Sequence, residues 1–87
     1  MDLYKIVGFA IRNLRRQKAL SQNSVCNRSG VNHSYYCNIE RGTANPTVKI
    51  LYDIISALGV SPAEFADAIS VVIHDACVTS DIGSVGE

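Results

Sequence analysis

The sequence predicts an all-α domain of five helices, and three observations carry that prediction. Residues 3–18 place apolar side chains at a helical period on one stripe. Four later segments each open on a residue suited to cap a helix, namely Ser21, Asn32, Thr47 and Ser61, and the first three of them close on Gly30, Gly42 and Gly59. Between Gly30 and Asn32 only Val31 remains, so two short helices meet across a very tight turn.

The first helix runs from Leu3 to Lys18, with Leu3, Tyr4, Val7, Ala10, Ile11 and Leu14 on its apolar stripe. Asp2 caps its start, and Arg15, Arg16 and Lys18 complement the dipole at its end. Ile6 and Phe9 lie off the stripe. The second helix spans Gln22–Ser29 and the third runs from its cap at Asn32 to Arg41, which together form a helix-turn-helix arrangement. Gly42-Thr-Ala-Asn-Pro46 reads as a loop by composition. A fourth helix follows Thr47 and buries Leu51, Ile54, Ile55 and Leu58. The fifth starts at Ser61-Pro62, since proline suits the first helical turn, and carries Phe65, Ile69, Val72 and Ala76 on one face. The run Val71-Val72-Ile73 is β-branched and pulls against helix there. After Val78 the apolar period is lost. Residues 1–78 are therefore expected to form the domain and 79–87 a flexible tail.

Composition narrows the class. Eighty-seven residues make one domain, and a chain that is 47% hydrophobic and 18% charged is globular. No run of 18 apolar residues exists, which excludes a membrane span, and the lack of a secretion-signal layout points to the cytoplasm. Three cysteines without a CxxC pair argue against a disulfide scaffold or zinc knuckle. His33 and Cys37 share a helix face, with Cys26 in reach, but structural zinc wants four ligands at tighter spacing; no metal or cofactor is expected. Ser, His and Asp occur without a glycine elbow or phosphate loop, so no enzyme is expected either. The net charge of zero hides a split. Eight basic residues against Asp2 and Glu40 leave +6 on residues 1–49, whereas residues 50–87 carry six acids and no base. Such a split suits a polyanion on one face, or two halves that attract each other.

The run Ile11-Arg-Asn-Leu-Arg15, Leu20-Ser-Gln22, Ser29-Gly-Val31, Ile39-Glu-Arg-Gly42, Asn45-Pro46 and Leu58-Gly-Val-Ser-Pro62 resembles the Xre/Cro-repressor family of helix-turn-helix DNA-binding domains. The resemblance covers residues 8–66, with the parts in the family's order and spacing. It implies a five-helix, lambda-repressor-like fold with the helix of residues 32–41 in the major groove of double-stranded DNA. By the same resemblance Gln22, His33, Ser34, Tyr35 and Asn38 read bases, and Arg12, Asn23, Arg28, Arg41, Thr43 and Asn45 hold phosphates. Arg15 and Glu40 match a salt bridge that joins the family's first and third helices.

Tyr36 and Ile39 read as core with Val25 and Val31, and Cys26 as a buried, inert thiol. Cys37 lies on the reading helix, where a redox switch is conceivable.

A single such unit contacts half an operator, so a homodimer on a (pseudo)palindromic site is expected. Phe65, Ile69, Val72 and Ile73 are the expected interface, with Ile6, Phe9, Ile50 and Tyr52 extending it. Ile6 and Phe9 could equally bury against the last helix of their own chain. The spelling is nearest to repressors and restriction–modification controller proteins. The alternative is an antitoxin-like interaction module that binds a protein partner through residues 60–87.

Overall fold

The computed structural model describes residues 2–84, with side chains as far as Asp75. Its helices are α1 (Leu3–Gln17), α2 (Gln22–Ser29), α3 (His33–Arg41), α4 (Val48–Leu58) and α5 (Pro62–Ser84), and no strand occurs among the described residues.

Local chemistry sets each helix start. The Asp2 carboxylate accepts from the Tyr4 and Lys5 amides, Ser21 Oγ from Ser24 N, Asn32 Oδ1 from Tyr35 N, and Thr47 Oγ1 from Ile50 N. Ser61 and Glu64 exchange two such bonds, Glu64 N to Ser61 Oγ at 3.1 Å and Ser61 N to Glu64 Oε1 at 3.0 Å. The turn between α2 and α3 depends on Gly30, whose φ of 74° is one that side-chain-bearing residues rarely adopt. Ala19, after α1, holds a φ of 57° without that freedom.

The core gathers Ala10, Ile11 and Leu14 of α1, Val25 and Cys26 of α2, and Tyr36 and Ile39 of α3 around Ile54, Ile55 and Leu58 of α4. α1 packs against both α3 and α5, and α2 against α3 and α4. At Gly8 the approach of α1 to α3 is at backbone distance: a Cβ there would stand 2.5 Å from the Ile39 carbonyl oxygen and 2.6 Å from that of Glu40. The last turns of α3 therefore rest directly on α1.

Three expectations need correcting. Phe65 is only 8% exposed and belongs to the core of its own chain, so it is not a subunit interface residue. Leu3 and Tyr4 are exposed while Ile6 is buried, because α1 is covered on two sides and its buried surface is not a single stripe. Ile6 thus packs within its own chain, and Phe9 remains 54% exposed. The third concerns the tail. α5 continues to Ser84, because no proline or glycine interrupts the chain between Pro62 and Gly83; the expectation for residues 85–87 lies outside the described residues.

Among the described residues no single helix is long and apolar enough to cross a membrane. The pair Val48–Leu58 and Pro62–Asp75 is apolar in composition, but it bends by 99°, and its Ile54, Ile55, Leu58 and Phe65 are buried in the core.

Candidate nucleic-acid interface

α3 divides lengthwise. Tyr36, Ile39 and Glu40 face inward, while His33, Ser34 and Arg41 are exposed and Cys37 and Asn38 are half-buried beside them. The spacing of 33, 34, 37, 38 and 41 puts these five on one outward edge.

What holds this edge at its angle is a buried carboxylate. Arg15 of α1 grips Glu40 through two bonds, Nε to Oε2 at 2.7 Å and Nη2 to Oε1 at 3.2 Å, and its Nη1 donates to the Leu20 carbonyl at 3.0 Å. The Tyr36 hydroxyl donates to Oε2, one turn back on the same helix. Gln22 of α2 donates to Oε1 at 3.2 Å. Glu40 thereby joins α1, α2 and α3. Burial pushes its carboxyl upward, but the bonds from Arg15, Tyr36 and Gln22 outweigh burial and hold it below its ordinary value. The bond to Glu40 raises the Arg15 guanidinium against its own burial, and burial followed by the Glu40 contact raises the Tyr36 hydroxyl.

Gln22 was expected at a base. Its amide instead turns inward, donating to Glu40 and accepting from Cys37 Sγ at 3.5 Å. It is a brace between α2 and α3, because a buried carboxylate one helix away is the stronger acceptor. Arg28 was expected at a phosphate, but its Nη1 donates to the Ala57 carbonyl at 3.4 Å, near the end of α4. There the unpaired helical carbonyls attract a cation. The remaining residues expected at DNA are exposed or half-buried. Tyr35 is half-buried and donates from its hydroxyl to the Asn45 carbonyl at 3.3 Å, tying α3 to the loop after it. The Asn38 carbonyl accepts from Thr43 N at 2.9 Å and Thr43 Oγ1 at 3.2 Å, while Asn38 Oδ1 accepts from Arg41 Nη2 at 2.7 Å. Thr43 and Asn45 are exposed in that loop, and Asn23 is exposed in the first turn of α2.

Beside this edge lies an open concavity of about 330 Å³ lined by Arg12, Arg15, Gln22, Cys37, Glu40 and Arg41. Of its three guanidinium groups only that of Arg15 meets a carboxylate among the described residues. Arg12 and Arg41 thus present positive charge to solvent beside the N-terminal turn of α2. Among the described residues no group of three or more His, Cys, Asp or Glu could hold a metal ion.

A short helix presenting a polar edge, carried on a second helix across a glycine turn and flanked by unneutralised arginines, defines a helix-turn-helix protein. The chain belongs to that family: the helix-turn-helix family model HTH_3, of Xre/Cro type, matches residues 11–65. Its members are DNA-binding transcriptional regulators, and the family is not one of enzymes. The uncharacterized HTH-type transcriptional regulator y4dJ of Sinorhizobium fredii is 48% identical over 64 residues, covering 74% of this chain and 83% of y4dJ. The uncharacterized HTH-type transcriptional regulator y4dL of the same organism is 32% identical over 76 residues, and the chain spans 39% of its length. Among solved structures, the restriction–modification controller protein C.Esp1396I superposes with a TM-score of 0.80 at 30% identity, over 84% of this chain and 96% of that one. That protein has also been crystallised as a tetramer in complex with its natural 35-base-pair operator. The clp gene regulator ClgR of Corynebacterium glutamicum shares the fold with a TM-score of 0.86 at 24% identity, over 95% and 88% of the two chains.

Proposed function

We propose that this protein is a sequence-specific transcriptional regulator that binds a (pseudo)palindromic operator as a homodimer, with α3 in the major groove of each half-site. The observation that carries this reading is the outward edge of α3 with Arg12 and Arg41 beside it. His33, Ser34, Tyr35 and Asn38 face the bases. Arg12, Arg41, Asn23, Thr43 and Asn45 hold phosphates to either side, and the amides that open α2 add an anion site. Controller protein C.Esp1396I, bound to operator DNA as a tetramer, supports assembly on DNA by similarity. The interface in this chain is the half-covered Ile69, Val72 and Ile73 of α5, together with the exposed Val71 and Phe9. Such a regulator works in the cytoplasm, where its DNA lies.

The test is selection of bound sequences from random DNA, followed by footprinting. Two half-sites about 10 bp apart, or a multiple of that, are expected. Asn38→Ala should change preference at one base pair by about 1–3 kcal/mol. Arg12→Ala should weaken all sequences equally, and altered preference in that variant would refute the division into base and phosphate contacts.

A further inference from the structure

Cys37 has a setting that the DNA-reading role of α3 does not account for. Its sulfur lies on the outward edge, one turn after His33, and lines the concavity that Arg12 and Arg41 make positive. The imidazole of His33 lies alongside, with Nδ1 3.7 Å and Nε2 4.0 Å from Sγ. On the other side Gln22 Oε1 accepts from the thiol at 3.5 Å. The thiol thus has a cavity beside it, an imidazole within reach, and two cations that no carboxylate neutralises among the described residues. Cys26 differs in access: it is buried in the core, with no cavity beside it among those described.

We infer that Cys37 is a modification site that takes a small carboxylate-bearing thiol, of the glutathione class, as a mixed disulfide, and that the adduct closes α3 to DNA. This rests on the reading of α3 proposed above. The co-reactant is a low-molecular-weight disulfide. The Cys37 proton passes to His33, and the sulfur attacks one sulfur of the reagent. A Cys37–S bond forms as the reagent's S–S bond breaks, and the second thiol leaves with the bonding pair and takes up a proton. One disulfide is exchanged for another, with no net redox change. Arg12 and Arg41 favour a reagent with carboxylates over one with ammonium groups. The adduct then projects from the edge that must enter a groove about 12 Å wide, where a helix leaves no room for it.

The test uses the full chain with the third cysteine of the sequence removed, Cys77→Ser, incubated with oxidised glutathione and, separately, with the cationic disulfide cystamine. Peptide mapping by mass spectrometry should find one glutathionyl group, on Cys37, formed roughly tenfold faster than the cystamine adduct at low salt. Affinity for an operator selected from random DNA should fall at least about tenfold, the loss of one base contact, and return with dithiothreitol. Further substitution of Cys37→Ser should leave affinity the same with and without reagent. The inference fails if Cys37 stays unmodified, if cystamine reacts as fast, if the adduct leaves affinity unchanged, or if binding is lost together with the helical circular dichroism. If the untreated protein selects no DNA, the reading of α3 fails and takes the switch with it, an outcome distinct from modified protein that still binds.

Discussion

A carboxylate as enclosed as that of Glu40, whose side chain is 5% exposed, costs several kcal/mol to strip of water unless donors fill its lone pairs. Here Arg15, Tyr36 and Gln22 fill them. Tyr36→Phe removes one of these donors without leaving a cavity, and should cost about 1.5–3 kcal/mol in urea denaturation. The folded carboxyl lies below its ordinary value, so the folded state binds fewer protons than the unfolded chain. The stability it supplies is complete above the unfolded value of 4.5 and drains away as pH falls through the folded one. Glu40→Gln should therefore reduce the difference in urea midpoint between about pH 6 and about pH 3.5; an undiminished difference would assign the acid sensitivity to other groups. Ala19 supplies a second residue-scale case. A left-handed alanine costs roughly 1–2 kcal/mol, partly offset by the greater unfolded freedom of glycine. Ala19→Gly should thus stabilise by about 0.5–1 kcal/mol and raise Tm, by roughly 4–8 °C per kcal/mol. A lower Tm would count against a strained turn.

At the scale of elements, α5 has an inner and an outer surface. Phe65 is buried, Ile69 and Val72 are partly covered against the core, and Val71 is 58% exposed. Val71→Asp should give monomers with the helix content intact, as light scattering and circular dichroism would show. Ile69→Asp strikes the core as well and should lower Tm besides. A dimer that survives Val71→Asp would move the interface elsewhere. The starts of all five helices could be read from the chain because a capping side chain reaches an amide only two or three residues on. Gly30, Gly42 and Gly59 mark stops by the same short-range logic. The end of α5 could not be read this way. Loss of apolar period says that a helix has nothing to pack on, not that its backbone bonds must stop. The buried faces of α1 depend on both α3 and α5, and a one-stripe reading misses the second cover. The intramolecular bonds of Gln22 and Arg28 could not be read for a similar reason, because their partners Glu40 and Ala57 lie 18 and 29 residues away. The edge of α3 was legible because its inner residues, Tyr36 and Ile39, are fixed by helical period against the core.

Over the whole molecule, the positive half of the sequence becomes α1–α3 and the loop that follows, while Asp53 falls on α4 and Glu64, Asp67, Asp75 and Asp81 on α5. Lys49, the one base on α4, is already paired with Asp53 at 2.8 Å. DNA affinity of the dimer should therefore fall steeply with salt. With Arg12 and Arg41 on phosphates in each subunit, the slope of log K against log salt should be at least about −3.6, and Arg12→Ala should reduce its magnitude by about 2. A slope near zero would favour a protein ligand instead. The contact at Gly8 bears on geometry beyond one subunit. With no side chain between them there, α1 and α3 meet backbone to backbone, so an added side chain must push the last turns of α3 away from α1. In the proposed dimer, a single methyl group inserted there should be felt most in the base pairs separating the two half-sites, which neither copy of the protein needs to touch.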